Sequence, residues 1–182
     1  ISDDTLAISE YVYMLAADYA RSLDVAKRAH ALGVKVFLDI EPSESLSLDR
    51  LKEMLRFCTI ASFNEVGFSS RFGQPFNLTK AKIILDLGPS TLLVTRGKKG
   101  VIGVNKEGLI EVPGHAVKAK DTTGAGDTFN AAFISRLIKG EPLEKCLRFG
   151  NAAAALLIQT MGTRTHIPTN QEVFHFLENQ SH

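Results

Sequence analysis

The chain has 182 residues, is 45% hydrophobic and 23% charged, and carries a formal net charge of +1, enough for one domain with a substantial core. That balance excludes a nucleic-acid footprint: the densest cationic stretch, RGKKG at 96–100, reads as a solvated loop. No apolar run reaches membrane-spanning length and no secretory signal is read, so neither nucleic acid nor membrane is expected as a partner and the cytoplasm is the expected location.

Strands and helices alternate along the chain. YVYML (11–15) reads as a buried strand. A helix follows with Leu23, Ala26, Ala29 and Leu32 on one face and Gly33 as its C-terminal stop. VKVFLDI (34–40) is the next strand, SLDRLKEMLRFC (47–58) an amphipathic helix and TIASF (59–63) a short strand. TKAKIILDLG (79–88) reads as a helix, TLLVTR (91–96) as a strand, and GVIGVNKEGLIEVPG (100–114) as a hairpin turning at Lys106–Gly108. Helices are expected over 127–139, 143–160 and near 170–179, the last opened by a Thr169/Glu172 capping box. Such alternation implies an α/β fold with a parallel sheet covered on both faces. Ligands in such sheets bind at the carboxyl ends of the strands, where Asp39, Asn64 and Thr95 fall.

The most informative stretch is DTTGAGDTFNAAF (121–133). Phe129, Ala132, Phe133, Leu137 and Ile138 recur at helical spacing, so Gly124, Ala125 and Gly126 lie at a helix N-terminus. Backbone N–H groups there lack intrahelical partners, and glycine lets a ligand approach them closely. With the helix dipole this makes an anion site, most often for phosphate. An acid directly after it, Asp127, suits proton removal from a hydroxyl that attacks that phosphate. Two other readings stand beside this one. Asp127 could be an ordinary helix N-cap. GAGDTF also echoes a dinucleotide fingerprint, although Phe129 stands where the third glycine belongs. Cys58 and Cys146 are widely separated with no CxxC pattern and read as free thiols of a reducing compartment.

With these elements placed, the chain resembles the ribokinase-like sugar kinases, the PfkB carbohydrate kinase family. DTTGAGDTFNAAF is similar to that family's second signature. VTRGKKG (94–100) resembles its nucleotide loop through Thr95, Gly97 and Gly100. CLRFGNAAAALLIQTMG (146–162) resembles the helix flanking the nucleotide, with Asn151 at the position that faces it. THIPTNQEV (165–173) looks like the closing segment. The resemblance implies a three-layer α/β/α sandwich with a mostly parallel sheet, and a single domain over 1–182 that forms the nucleotide-binding C-terminal portion. The N-terminal part and lid that hold most sugar contacts are read as absent.

It also implies ATP-dependent phosphorylation of a sugar-like hydroxyl. Asp127 would be the general base, with the backbone of Gly124, Ala125 and Gly126 as the anion hole. Asn64, Thr95, Gly97, Gly100 and Asn151 would serve the nucleotide. The implied cofactors are ATP, Mg2+ and a monovalent cation such as K+, the last held by Asp121, Thr123, Thr160 and Gly162. One departure stands out: the family's Asn-x-x-Glu reads NEVG here, with Asn64 kept, Gly67 in place of the acid, and Glu65 as a stand-in acting through water. The alternative is a nucleotide-binding or regulatory fragment without kinase activity. The small-molecule partner is a sugar. The sheet edge at YVYML is expected to be uncovered and prone to association, a homodimer being the simplest assembly.

Overall fold

The computed structural model describes residues 1–42, 46–73, 76–163 and 165–180. Among them the chain runs α1 (Asp3–Ala7), β1 (Tyr11–Leu15), α2 (Tyr19–Ala31), β2 (Lys35–Ile40), α3 (Leu48–Leu55), β3 (Ile60–Asn64), α4 (Glu65–Phe72), α5 (Leu78–Leu85), β4 (Thr91–Thr95), β5 (Val101–Asn105), β6 (Gly108–Val112), α6 (Ala125–Leu137), α7 (Leu143–Leu157) and α8 (Asn170–Asn179). The six strands form one sheet in sequence order. β1 to β4 pair in parallel, with Tyr11 opposite Lys35, Phe37 opposite Ile60 and Ile60 opposite Thr91. Parallel neighbours need a crossover each, which α2, α3 and the α4–α5 pair supply. β5 and β6 are joined through Lys106–Glu107 as a hairpin, where the Asn105 side chain accepts the Glu107 N–H at 2.9 Å.

Most helix starts are written locally in the sequence. Ser2, Asp18, Ser47, Asn64, Asn77 and Thr169 each accept a backbone N–H of the first turn of the helix that follows. These bonds satisfy donors that the helix itself leaves unpaired. The Thr169–Glu172 capping box is present in full. α6 and α7 begin differently, on Gly124 and Pro142, with no side-chain cap.

The chain resolves into two compact units. The first holds residues 1–95 and 103–109. Its strands bury unbroken runs, Val36–Phe37–Leu38 in β2 and Leu92–Leu93–Val94 in β4, as expected of a sheet covered on both faces. Leu23, Ala26 and Ala29 of α2, and Leu51, Met54 and Leu55 of α3, complete that core. The amphipathic helix expected over 47–58 is present over Leu48–Leu55. Two expectations fail here. YVYML is the end strand among those described, as the uncovered edge expected there has it, but it is half-buried and not buried, with Tyr13 39% and Leu15 42% exposed. Leu32 lies past the end of α2 and is exposed, because the chain turns through Gly33 at φ 74°.

The second unit holds residues 96–102 and 110–182. α6 and α7 approach closely at Gly150, where a Cβ would stand 2.9 Å from the Phe129 ring. Arg136 of α6 is buried. Its guanidinium lies 4.2 Å from the Phe149 ring centre and 5.2 Å from that of Phe174, and donates to the Asn170 side chain at 2.8 Å. One cation thus fastens α6, α7 and α8. Ile138 departs from the expected apolar face and is exposed, because it is the C-cap of α6. Cys58 and Cys146 are free and buried, and burial pushes their thiols up to about 12 and about 11. Among the described residues no helix is long and apolar enough to cross a membrane.

Gly88 shows how tightly the first unit is closed. It has φ 153°, and a Cβ there would lie 2.4 Å from the Leu55 carbonyl oxygen. Gly88→Ala is expected to cost roughly 2–5 kcal/mol, overpacking added to backbone strain. Urea unfolding followed by circular dichroism measures it, and an unchanged midpoint would contradict the packing described.

Candidate functional site

The start of α6 is built by three local features. Gly124 adopts the left-handed conformation at φ 78° as the N-cap, a place glycine fills without steric cost. Ala125 N–H closes a turn onto the Thr122 carbonyl at 3.2 Å. The helical ladder then begins with Thr128 N–H donating to the Gly124 carbonyl at 2.9 Å. The N–H groups of residues 125–127 therefore lie ahead of the ladder, at the positive end of the helix dipole.

Asp127 stands in the first turn, three residues after the N-cap, and is exposed. The reading of Asp127 as the N-cap is thereby overturned, because Gly124 holds that position. Gly126 is exposed and has no atom within 4 Å of where its Cβ would lie. The positive-φ glycine of the loop is Gly124, and Gly126 is helical.

The loop ahead of the helix is pinned by Asp121. One carboxylate oxygen accepts the Thr123 N–H at 2.9 Å and the other the Gly162 N–H at 3.0 Å. These bonds, with the Thr123 backbone bond the largest cause, hold the Asp121 carboxyl below the usual carboxylate range. Asp121, Thr123 and Gly162 are thus brought together. The Thr160 hydroxyl turns instead to the Leu157 carbonyl at 3.0 Å. Among the described residues no three His, Cys, Asp or Glu side chains gather as a metal cage.

A cleft of about 510 Å³ opens within the second unit. Asp127, Thr123 and Gly124 line one end, Thr128 and Ser135 continue along α6, and Phe149 and Asn170 lie on α7 and α8. The sequence pattern gave no hint of Thr128, Ser135 or Asn170 as lining residues. Thr128 and Ser135 stand seven residues apart, about two turns of α6, and so share one face of the helix.

Gly97 and Gly100 flank a 3-10 turn at Gly97–Lys99. Gly97 has φ 54° and open space around it. Gly100 has φ 91°, and a Cβ would fall 2.0 Å from the Val112 carbonyl oxygen. The Asn151 side chain donates to the Pro113 carbonyl at 2.8 Å. Gly100 and Asn151 therefore meet the same short stretch, 112–114. Gly114 belongs with them, since a Cβ there would lie 2.2 Å from the Lys98 carbonyl oxygen. Its sequence signal was the Pro-Gly pair.

In the first unit, Asn64 and Thr95 are paired at the carboxyl ends of β3 and β4. The Asn64 side-chain oxygen accepts the Gly67 N–H at 2.7 Å and caps α4, a helix the sequence pattern did not indicate. The Thr95 hydroxyl lies 3.4 Å from the Phe63 carbonyl. Gly67 is buried, and a Cβ there would stand 3.3 Å from both the Asn64 side-chain oxygen and the Ile40 carbonyl oxygen. A side chain at 67 thus requires its neighbours to yield by a few tenths of an ångström. Asp39, one residue before the end of β2, accepts the Tyr13 phenol at 2.8 Å.

Comparison with known proteins follows this geometry. A sequence profile of the pfkB family carbohydrate kinases matches residues 4–170. The chain is 35% identical over 158 residues to a ribokinase of Haemophilus influenzae, covering 84% of this chain and 50% of that protein. It is 31% identical over 172 residues to a nucleoside kinase of Methanocaldococcus jannaschii, covering 93% and 56%. The crystal structure of a Thermotoga maritima ribokinase superposes with TM-score 0.82 at 31% identity, over 98% of this chain and 60% of that one. An Arabidopsis thaliana ribokinase, solved with ribose and ATP, gives TM-score 0.84 at 29% identity, over 98% and 60%. The chain spans about half the length of the curated relatives it matches. Its sheet is the mostly parallel sheet of the ribokinase-like fold, and the chain belongs to the pfkB family of carbohydrate kinases.

Proposed function

We propose that the protein of which this chain is a part transfers the terminal phosphoryl group of ATP to a hydroxyl of a sugar or sugar-like acceptor. The observation that carries this reading is the start of α6: a helix with no side-chain cap, opened by a left-handed glycine, with an exposed carboxylate in its first turn beside a cleft. The names of the relatives, ribokinase and nucleoside kinase, support the acceptor class. The ATP in the Arabidopsis ribokinase structure supports the donor.

In this reading the acceptor oxygen forms its bond to phosphorus as the bond to the ADP oxygen breaks. Asp127 takes the hydroxyl proton. A loose phosphoryl-transfer transition state needs little early proton removal, so Asp127 acts late and orients the hydroxyl as much as it accepts a proton. The first-turn N–H groups around Gly124, Ala125 and Gly126 hold the charge that develops on the transferred group. Thr95, Gly97, Gly100 and Asn151 serve the nucleotide, the last two through the backbone stretch they share. Asn64 and Glu65, at the β3–α4 junction, are the residues for water-mediated contact with Mg2+ carried on the nucleotide, whose role is to offset phosphate charge. Asp121, with the backbone of Thr123, Thr160 and Gly162, would hold K+ and so fix the loop before α6.

A second reading has one observation in its favour. Gly67 stands where the family's acid is expected in the first turn of α4, and a Cβ there would lie 3.3 Å from the Ile40 carbonyl oxygen and the Asn64 side-chain oxygen. A protein that binds ATP without transferring phosphate would fit that loss. Calorimetric ATP binding, set beside sugar-stimulated ADP release over pentoses, hexoses and nucleosides, separates the two. Binding with no release by any acceptor would favour the second reading.

Two substitutions in the complete protein test the first. Asp127→Asn is expected to lower turnover by about 10²–10⁴ while ATP affinity stays within a few-fold. Turnover close to wild type would reduce Asp127 to a dipole partner of α6. Gly126→Val places its side chain in open space, so thermal stability should shift by less than about 1 kcal/mol. Phosphoryl transfer should nevertheless fall about 10²–10³-fold, because the side chain shields the N–H groups from phosphate. Full activity in that variant would mean that the loop is a turn and nothing more.

A further inference from the structure

The second unit contains an ion pair with no role in the phosphoryl transfer described above. Arg96, the residue after β4, and Glu111, in β6, meet at 2.5 Å. Both belong to that unit, as do the glycines and Asn151 discussed with them below. Their side chains are 14% and 55% exposed, so the cation is shielded and the anion reaches solvent. A partly buried pair is screened less by salt than a fully exposed one. The same guanidinium nitrogen donates to the Lys99 carbonyl at 3.3 Å. Arg96 thus holds its own turn and a neighbouring strand at once.

That turn carries Gly97 and Gly100. Its backbone is closed by three bonds: Arg96 N–H to the Gly100 carbonyl at 2.7 Å, Lys99 N–H to the Arg96 carbonyl at 3.1 Å, and Gly100 N–H to the Gly97 carbonyl at 2.9 Å. These bonds shape residues 96–100 and fix nothing outside them. The stretch 112–114 passes directly against the turn. The Val112 carbonyl oxygen occupies the place of the Gly100 Cβ, and the Lys98 carbonyl oxygen that of the Gly114 Cβ. Bare glycines let two segments of backbone touch, but they bring no side-chain attraction of their own. The Arg96–Glu111 pair supplies one, a single residue ahead of Val112. Asn151 fastens the same stretch from α7, through the Pro113 carbonyl at 2.8 Å.

We infer that Arg96 and Glu111 are positioning residues for the nucleotide: their pair holds the 97–100 turn against 112–114 and so sets how tightly ATP is bound. The inference rests on the reading of Gly97, Gly100 and Asn151 as nucleotide residues. Neither Arg96 nor Glu111 touches the reacting atoms; both act through the backbone they clamp. A turn already held in its binding shape has less freedom to lose when the ligand arrives. Loss of the pair therefore weakens ATP equally in the ground state and the transition state, which raises KM and spares kcat.

The test uses the complete protein as wild type, Arg96→Gln, Arg96→Lys, Glu111→Gln and the double variant Arg96→Gln/Glu111→Gln. ATP binding is measured by calorimetry, and KM for ATP and kcat by ADP release. Arg96→Gln should weaken ATP roughly ten-fold, the loss of a charge-assisted clamp, with kcat within a few-fold of wild type. Glu111→Gln should lose less, because the amide oxygen still accepts a hydrogen bond. The double variant should be no weaker than Arg96→Gln alone, since the two residues act as one pair. Arg96→Lys keeps the charge and should recover part of the loss. The Glu111 side chain is half exposed, so Glu111→Gln decides the matter by the same measurements if Arg96→Gln does not fold. Losses that add in the double variant, or a fall in kcat at unchanged KM, would overturn the inference. Wild type that binds ATP no more tightly than any variant would also overturn it and leave the nucleotide reading standing. Wild type that binds no ATP would sink the nucleotide reading itself, and the inference with it.

Discussion

The Asp121 carboxylate is the interaction on which the candidate site depends. Its two oxygens are shared between Thr123 N–H, just before α6, and Gly162 N–H, beyond α7. The Ile158 carbonyl ties the same place from the other side by accepting from Lys120 and Asp121 N–H. Those contacts hold the entry to α6 while no side chain caps the helix. In the six helices that Ser, Asp, Asn or Thr caps, one first-turn donor is taken by the cap side chain. At α6 the anchor is moved back three residues, to Asp121, and no side chain caps the helix mouth, where the Ala125 N–H turns to the Thr122 carbonyl. A preorganised donor set of this kind stabilises charge without having to reorganise during the reaction.

The division of glycines follows the same logic. Gly100 and Gly114 are required by packing, because backbone from another segment occupies the place of their missing Cβ. Gly97 and Gly126 have open space around them. Sequence alone does not separate the four by what occupies the space at their missing Cβ. The structure separates those that let two strands of backbone touch from those that leave a surface bare.

Much of the fold was legible because it is locally written. β-branched runs such as TLLVT, the period of SLDRLKEML and the Thr169–Glu172 box each name their element without help from the rest of the chain. α4 escaped notice because Asn64 was read for phosphate chemistry, whereas its side chain caps the helix that begins at Glu65. α1 is five residues long, too short for a periodic signal. The strand YVYML by itself reads as buried, since an apolar strand looks the same at the centre or the end of a sheet, and its uncovered edge was legible only through the family resemblance. At the site, the glycine–acid motif was visible as a motif. The partners that give it shape, Gly162 for Asp121 and Pro113 for Asn151, lie about forty residues away in sequence, and no spacing rule connects them.

The strand order has a consequence for how the chain is made. Each strand from β2 to β6 lies beside the one synthesised just before it. Nearly every sheet contact therefore spans only one crossover, so closing it costs the entropy of a short loop. Topologies with near-neighbour contacts fold faster than those that wait for distant partners. As the chain leaves the ribosome, β2 can dock on β1, and β3 on β2, before α6 exists. The helices that carry the anion loop are made after the strands of the sheet, and synthesis order becomes assembly order.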